Sequence, residues 1–206
     1  MVLNYIIGPS HIHSDITYQI KDEIKNKKLF NNCILDGYRG IPIWSKHIYN
    51  CIKKNIDTHN VYWIVSDYKF NNFDYPKIVD ITKKNELFLD TVGHPGNVSR
   101  NFLKKHHIEL LGNHSLKVID FITSKFPNIK LIFWCLYKRT KANKNSSYPK
   151  YLFYDAIKER YKNNILDIDL FTTPEAFNLK ILDEGGHPNK GGFILLDNII
   201  NGSLKK

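Results

Sequence analysis

The chain has 206 residues, of which 42% are hydrophobic and 13% aromatic, and its formal net charge is +10. This length suits one α/β domain with a single buried core, and the apolar and aromatic content excludes a disordered chain. No apolar run approaches the roughly 20 residues of a membrane-spanning helix, and the first residues lack the basic leader of a secretory signal. We therefore expect one domain over residues 1–206, located in the cytoplasm.

The positive charge is spread along the chain and comes mostly from lysine. Abundant lysine, asparagine and isoleucine together indicate an AT-rich coding sequence, which implies no binding partner. Because no RNA- or DNA-binding motif accompanies the charge, we expect no nucleic-acid partner. An anionic substrate is a milder use of the same electrostatic field.

The three cysteines, Cys33, Cys51 and Cys135, are an odd number at wide spacing. No pair has the close spacing of a zinc site or a redox motif. We expect reduced, buried thiols.

Strand-like and helix-like patterns alternate along the chain. Taken in order, they are a strand at 2–7, a helix beginning at Ser14, a strand at 33–35, a helix over about 42–54, a strand at 61–65, helices at 99–111 and 115–126, a strand at 129–136, a helix over about 151–162, a strand at 165–170 and a helix over about 190–200. This alternation predicts parallel βαβ units in an α/β fold, with a doubly wound five-stranded sheet in a three-layer α/β/α arrangement.

Ligands of such a sheet bind at the carboxyl ends of its strands. Three polar segments follow predicted strands: Ser10, the loop ending at Gly40, and the loop over residues 66–72. The segment before the last helix can reach the same edge. We therefore expect the functional residues of these segments to meet there.

Two short motifs near the chain ends carry the strongest functional signal, Gly8-Pro9-Ser10 and the run from Asp183 to Asn189 that contains His187. Together with the segment from Tyr38 to Pro42, which contains Gly40, they resemble the blocks of the SGNH (GDSL-like) hydrolase superfamily, although Pro9 stands where that family usually has Asp. The resemblance implies a flavodoxin-like sheet. It also implies an ester hydrolase or O-acyltransferase.

The resemblance assigns a role to each matching residue. Ser10 would be the nucleophile and His187 its base, because a serine hydroxyl is a weak nucleophile until an imidazole removes its proton. Glu184 or Asp183 would orient the imidazole. The loop over residues 66–72 corresponds to the family's third block, and an amide from one of its two asparagines, with the N–H groups of Ser10 and Gly40, would stabilise the oxyanion. Those two candidates are Asn72 and Asn71.

The implied substrate is a small-molecule or glycan ester, such as a carbohydrate or nucleotide-sugar ester. Water would act as the acyl acceptor in an esterase, whereas a sugar hydroxyl and a separate acyl donor would make the chain an O-acetyltransferase. Neither reaction needs a cofactor.

Two other interpretations remain open. His11 and His13, two residues apart just after the first predicted strand, could share a metal in a metal-dependent hydrolase. Alternatively, the chain could be a catalytically inactive SGNH-like domain that binds a glycan or a protein.

Overall fold

The computed structural model describes residues 2–9, 12, 30, 32–38, 40–65, 74–91, 104–134, 150–168 and 188–202. These ranges contain five strands and five helices. They are β1 (Asn4–Pro9), β2 (Cys33–Tyr38), α1 (Lys46–Asn55), β3 (Asn60–Ile64), α2 (Asp74–Lys83), α3 (Lys105–Lys125), β4 (Lys130–Phe133), α4 (Lys150–Arg160), β5 (Ile165–Asp167) and α5 (Lys190–Ile200).

All five strands are parallel and lie in the order β2-β1-β3-β4-β5. The first strand therefore lies inside the sheet, with β2 on one side and β3 on the other. This is the flavodoxin-like order, and it confirms the predicted α/β fold with a doubly wound sheet. The strand order reverses at β1, so the ligand crevice of such a sheet lies at the carboxyl end of this strand.

Successive side chains of β1 point to opposite faces of the sheet and pack into two hydrophobic cores. Tyr5 and Ile7 belong to the larger core, to which α1, α2, α3 and α4 contribute. Ile6 belongs to the second core, together with Phe193 and Leu196 of α5. Helices therefore cover both faces of the sheet, and this confirms the three-layer arrangement.

The second strand is longer than the apolar run that predicts it. Gly37 and Tyr38 continue β2 because they pair with Gly8 and Pro9 of β1. The first described helix, in contrast, begins later than the predicted residue 42. The side chain of Ser45 caps it by accepting a hydrogen bond from the N–H of His47, at an N···O distance of 3.2 Å.

The two predicted helices at 99–111 and 115–126 are one continuous helix, α3. Gly112, which suggested a break, lies inside it: a Cβ at this position would come within 3.0 Å of Cδ2 of Phe153 on α4. The glycine therefore allows α3 and α4 to approach closely. The predicted helix beginning at Ser14 lies outside the described residues.

Candidate active site

Gly40 is the one predicted site residue that lies within the described residues. The remaining ones lie outside them, namely Ser10, Asn71, Asn72, Asp183, Glu184 and His187, as do the alternative metal ligands His11 and His13. The structure does describe the residues that flank these positions. These flanking residues define the geometry of the sheet edge around the predicted site.

Pro9, directly before Ser10, is the buried last residue of β1. The strand reaches this point through a tight contact, because a Cβ on Gly8 would come within 2.9 Å of Cβ of Ile64. Gly8 is therefore required by the packing of β1 against the end of β3, independently of any catalytic role. Beyond Ser10, Ile12 is 1% exposed and belongs to the core beneath α5.

The helix α5 runs from the carboxyl end of the sheet to its amino end. Its last turn lies at the amino end, because Oδ1 of Asp197 accepts a hydrogen bond from the N–H of Phe30, shortly before β2 begins. Eleven residues of α-helix rise about 16 Å, which matches the length of a six-residue strand. Its first turn, and Pro188 and Asn189 before it, therefore lie toward the carboxyl end, where β1 stops.

Asn189, not His187, caps this helix. The side-chain Oδ1 of Asn189 accepts a hydrogen bond from the N–H of Gly192 at 3.2 Å, and Pro188 before it is buried. The cap explains the asparagine of the C-terminal motif in structural terms. It gives no structural reason for an imidazole two residues earlier, at position 187.

Gly40 lies in a turn that joins β2 to the buried segment before α1. Its φ of +65° is in the left-handed region, which glycine adopts without the steric cost of a Cβ. The N–H of Ile41 donates to the carbonyl oxygen of Tyr38 across this turn, at 3.4 Å. Ile41, Trp44 and Ser45 are at most 1% exposed, so the chain after Gly40 is firmly anchored.

Beside this turn lies a group of polar side chains that the sequence did not single out. We call it the α1–β2 polar cluster, and it comprises Tyr5, Asp36, Tyr38, His47 and Cys51. The carboxylate of Asp36 accepts a hydrogen bond from the hydroxyl of Tyr5. Sγ of Cys51 lies 3.4 Å from Nε2 of His47, and the rings of Tyr38 and His47 meet edge to face at 4.4 Å.

Spacing is the signal that could have indicated this cluster. Asp36 and Tyr38 are two residues apart on a strand, so their side chains lie on the same face of the sheet. His47 and Cys51 are four residues apart on a helix, so their side chains lie on the same face of the helix. The register pairs Ile7 with Asp36 and Pro9 with Tyr38, so the cluster lies on the α1 face of the sheet.

Three groups of the cluster, Tyr5, Tyr38 and Cys51, have a raised pKa and so favour their protonated forms. Burial, then the hydrogen bond to Asp36, raises the pKa of both Tyr5 and Tyr38. Burial and the nearby Asp36 carboxylate also raise the pKa of the Cys51 thiol. A thiol of this kind is a poor nucleophile at neutral pH. Cys33 and Cys51 are free, as expected, but half-buried, and Cys135 lies outside the described residues.

Basic residues stand at the starts of four of the five described helices, whereas α2 begins with Asp74. Four described helices begin with lysine and carry no acidic residue in the first turn; these lysines are Lys46, Lys105, Lys150 and Lys190. A helix amino terminus already carries about half a positive charge, so acidic residues are the usual choice there. At these four starts both contributions have the same sign. Lys46 is paired with Asp90 at 3.3 Å and Lys105 with Glu109 at 3.7 Å, which offsets part of the charge.

Known proteins give no independent indication of the family. No model of a known protein family matches the chain, and no curated protein matches it significantly. Within the described ranges, no three His, Cys, Asp or Glu side chains are arranged to hold a metal ion. None of the described helices is both long and apolar enough to cross a bilayer. The SGNH resemblance therefore stays a prediction.

Proposed function

We propose that the chain is a serine-dependent acyl-transfer enzyme of SGNH type, an esterase or O-acetyltransferase that acts on a carbohydrate or nucleotide-sugar ester. Ser10 is the nucleophile, His187 is its base, and Glu184 or Asp183 orients the imidazole. The N–H groups of Ser10 and Gly40 stabilise the oxyanion. A side-chain amide from Asn72 or Asn71 is the third hydrogen-bond donor of this oxyanion hole.

The observation that carries this proposal is the common location of the residues next to Ser10 and His187. Pro9 ends the strand at which the strand order reverses, and Pro188 precedes a helix whose first turn lies toward the same end of the sheet. Neighbouring Cα atoms are about 3.8 Å apart. A pairing between two residues 177 positions apart in the sequence is therefore compatible with the fold.

The proposed reaction has two steps. Oγ of Ser10 attacks the ester carbonyl as its proton moves to His187, and the leaving alcohol takes that proton when the C–O bond breaks. Water, or a sugar hydroxyl, then attacks the acyl-enzyme and gives its proton to His187. His187 passes this proton to Oγ of Ser10 as the bond between the acyl carbon and Oγ breaks. Each oxyanion donor is worth about 3–4 kcal/mol in such a reaction.

The lysines at the starts of four helices support an anionic substrate. A nucleotide-sugar carries phosphates, which the lysines and helix starts would attract over distances comparable with the Debye length of about 8 Å. A neutral glycan ester would gain nothing from this field. Salt dependence of KM therefore distinguishes the two substrate classes.

The decisive experiment is labelling with a fluorophosphonate, which reacts covalently with activated serines. We expect the purified protein to be labelled once and the Ser10→Ala variant not at all. His187→Gln should abolish labelling, whereas His59→Gln should not, because His59 directly precedes β3 at the opposite end of the sheet. The labelled peptide, identified by mass spectrometry, should contain Ser10.

Each other outcome has a definite meaning. Equal labelling of wild type and Ser10→Ala contradicts the catalytic serine. Acetylesterase activity that chelators abolish but Ser10→Ala retains favours a metal site at His11 and His13. Glycan binding without labelling or hydrolysis favours the inactive binding domain.

A further inference from the structure

The α1–β2 polar cluster meets the backbone of the Gly40 turn at one residue, Tyr38. Its side chain belongs to the cluster, and its carbonyl oxygen accepts the N–H of Ile41 across the turn. We propose that Tyr38 is a positioning residue that fixes this turn, and that Asp36 and His47 hold Tyr38 in place. The inference rests on the proposed function, because its purpose is to aim the N–H of Gly40 at an oxyanion.

The turn needs such support because its own hydrogen bond is long. The N···O distance of 3.4 Å between Ile41 and Tyr38 exceeds the usual 2.7–3.2 Å. Burial of Ile41 anchors the turn after Gly40. Before Gly40, the chain leaves β2, which has a single strand neighbour in the described sheet. The backbone of Tyr38 is therefore restrained from one side only.

The side chain of Tyr38 supplies the missing restraint. Its ring packs edge to face on His47 at 4.4 Å and 72°, and burial and the nearby Asp36 carboxylate raise the pKa of its hydroxyl. Tyr5 donates to the same carboxylate from β1. The ring therefore connects Tyr38 to α1, while its register pair with Pro9 connects its backbone to β1. Directional polar contacts of this kind define one orientation, which an apolar contact of equal area does less well.

The position of Tyr38 relative to the reacting serine gives the restraint a catalytic consequence. Tyr38 pairs with Pro9, the residue before Ser10, so both sides of the proposed oxyanion hole start from one register pair. A displacement of about 1 Å in such a site can lower the rate about 100-fold. The cluster therefore belongs to the site although it contributes no reacting atom.

The test compares Tyr38→Leu, which removes ring and hydroxyl, with Tyr38→Phe, which keeps the ring. Tyr49→Leu is the matched control, because Tyr49 is a half-buried tyrosine of α1 whose ring contacts Phe88 at 4.9 Å instead of the cluster. Two quantities are measured besides Tm: the rate of Ser10 labelling by the fluorophosphonate, and the hydrogen-exchange rate of the Ile41 amide. The second does not depend on catalysis.

We expect Tyr38→Leu to slow labelling about 10- to 100-fold, less than the roughly 100- to 1,000-fold loss caused by removing an oxyanion donor. Exchange at Ile41 should become about tenfold faster. The labelling rate and the Ile41 exchange rate of Tyr38→Phe should lie between those of wild type and Tyr38→Leu. The Tm of Tyr38→Leu, Tyr38→Phe and Tyr49→Leu should be similar.

Labelling and exchange rates of Tyr38→Leu equal to those of Tyr49→Leu overturn the inference. If Tyr38→Leu does not fold, Tyr38→Phe decides in the same way. A wild-type protein that does not label contradicts the proposed function instead. In that case, faster exchange at Ile41 in Tyr38→Leu still supports the restraint on the turn, and unchanged exchange overturns it.

Discussion

The backbone N–H of Phe30 donates a hydrogen bond to Oδ1 of Asp197, with 3.2 Å between nitrogen and oxygen. This bond joins the start of β2 to the last turn of α5 and so orients the helix along the sheet. Phe30 itself has a φ of +56°, a left-handed conformation that is unfavourable for a residue with a Cβ. Its ring packs edge to face on Phe193 at 5.7 Å. This packing and the hydrogen bond to Asp197 together stabilise the left-handed conformation of Phe30.

Replacing Asp197 should show how much this hydrogen bond contributes to the free energy of unfolding. Asp197→Ala removes the acceptor of both the Phe30 N–H and the Asn201 amide. We expect the free energy of unfolding to fall by about 1–2 kcal/mol. Asp197→Asn keeps an acceptor oxygen and should retain most of the stability. Urea denaturation of both variants provides the measurement, and equal losses in the two would contradict this account.

The fold was predictable from local patterns wherever an element carries its own signals. The bounds of α5 agree with the prediction because Asn189 caps its start. The interpretation failed where a distant contact decides: Gly37 extends β2 by pairing with Gly8, and Gly112 stays helical against Phe153 of α4. Neither partner can be identified from the neighbouring sequence.

The candidate site divides in the same way. Gly40 has the left-handed conformation of a turn glycine, which the residue type predicts. The α1–β2 polar cluster was missed because Asp36 and Cys51 come together only when α1 packs back across the sheet. Which polar side chains lie next to Asp36 and Cys51 is therefore determined by the topology of the sheet and not by the neighbouring sequence.

Gly112 provides a direct test of helix–helix approach. Alanine would favour the helix by about 1 kcal/mol, but its Cβ would lie 3.0 Å from Cδ2 of Phe153, and displacing a buried ring costs about 1–3 kcal/mol. We expect Gly112→Ala to lower the free energy of unfolding by about 1 kcal/mol. In a Phe153→Leu background the same change should cost less. A cost that is independent of residue 153 would show that the contact does not matter.

An ion pair near the end of β5 should matter more than those on the surface. Nζ of Lys158 lies 2.8 Å from Oδ2 of Asp167, whose side chain is 9% exposed. Lys158→Met removes the Lys158 cation from this carboxylate, and we expect the free energy of unfolding in urea denaturation to fall by about 2–3 kcal/mol. Lys162→Met breaks the fully exposed pair with Glu159 and should leave stability unchanged. Similar effects of the two substitutions would contradict the difference in burial.

His114 should make stability depend on pH. Its Nε2–H donates to the carbonyl of Leu87 at 2.9 Å, and burial lowers the pKa of the imidazole below its ordinary value of 6.5. The unfolded chain therefore binds a proton more readily. Stability is fully present above pH 6.5 and is lost as pH falls toward the lower pKa of the folded state, by at most about 1.4 kcal/mol per pH unit.

The comparison for His114 is a series of unfolding curves between pH 8 and pH 5. The pKa of His107 is also lowered, first by burial, so the difference between wild type and His114→Gln isolates the contribution of His114. His114→Gln should have the shallower dependence. Parallel curves would show that His114 titrates alike in both states.

Gly40 and Gly202 allow the conformational and catalytic roles of a glycine to be separated. Both have a positive φ, +65° and +71°, and a Cβ on Gly202 would meet no atom within 4 Å. Alanine at either position should cost about 1–2 kcal/mol of stability, because both substitutions impose the same left-handed strain. Gly40→Ala should in addition slow fluorophosphonate labelling of Ser10 at least tenfold, whereas Gly202→Ala should leave the labelling rate unchanged. If both variants lose stability and neither loses labelling, Gly40 acts only as a turn residue, and the oxyanion hole must be formed by other donors.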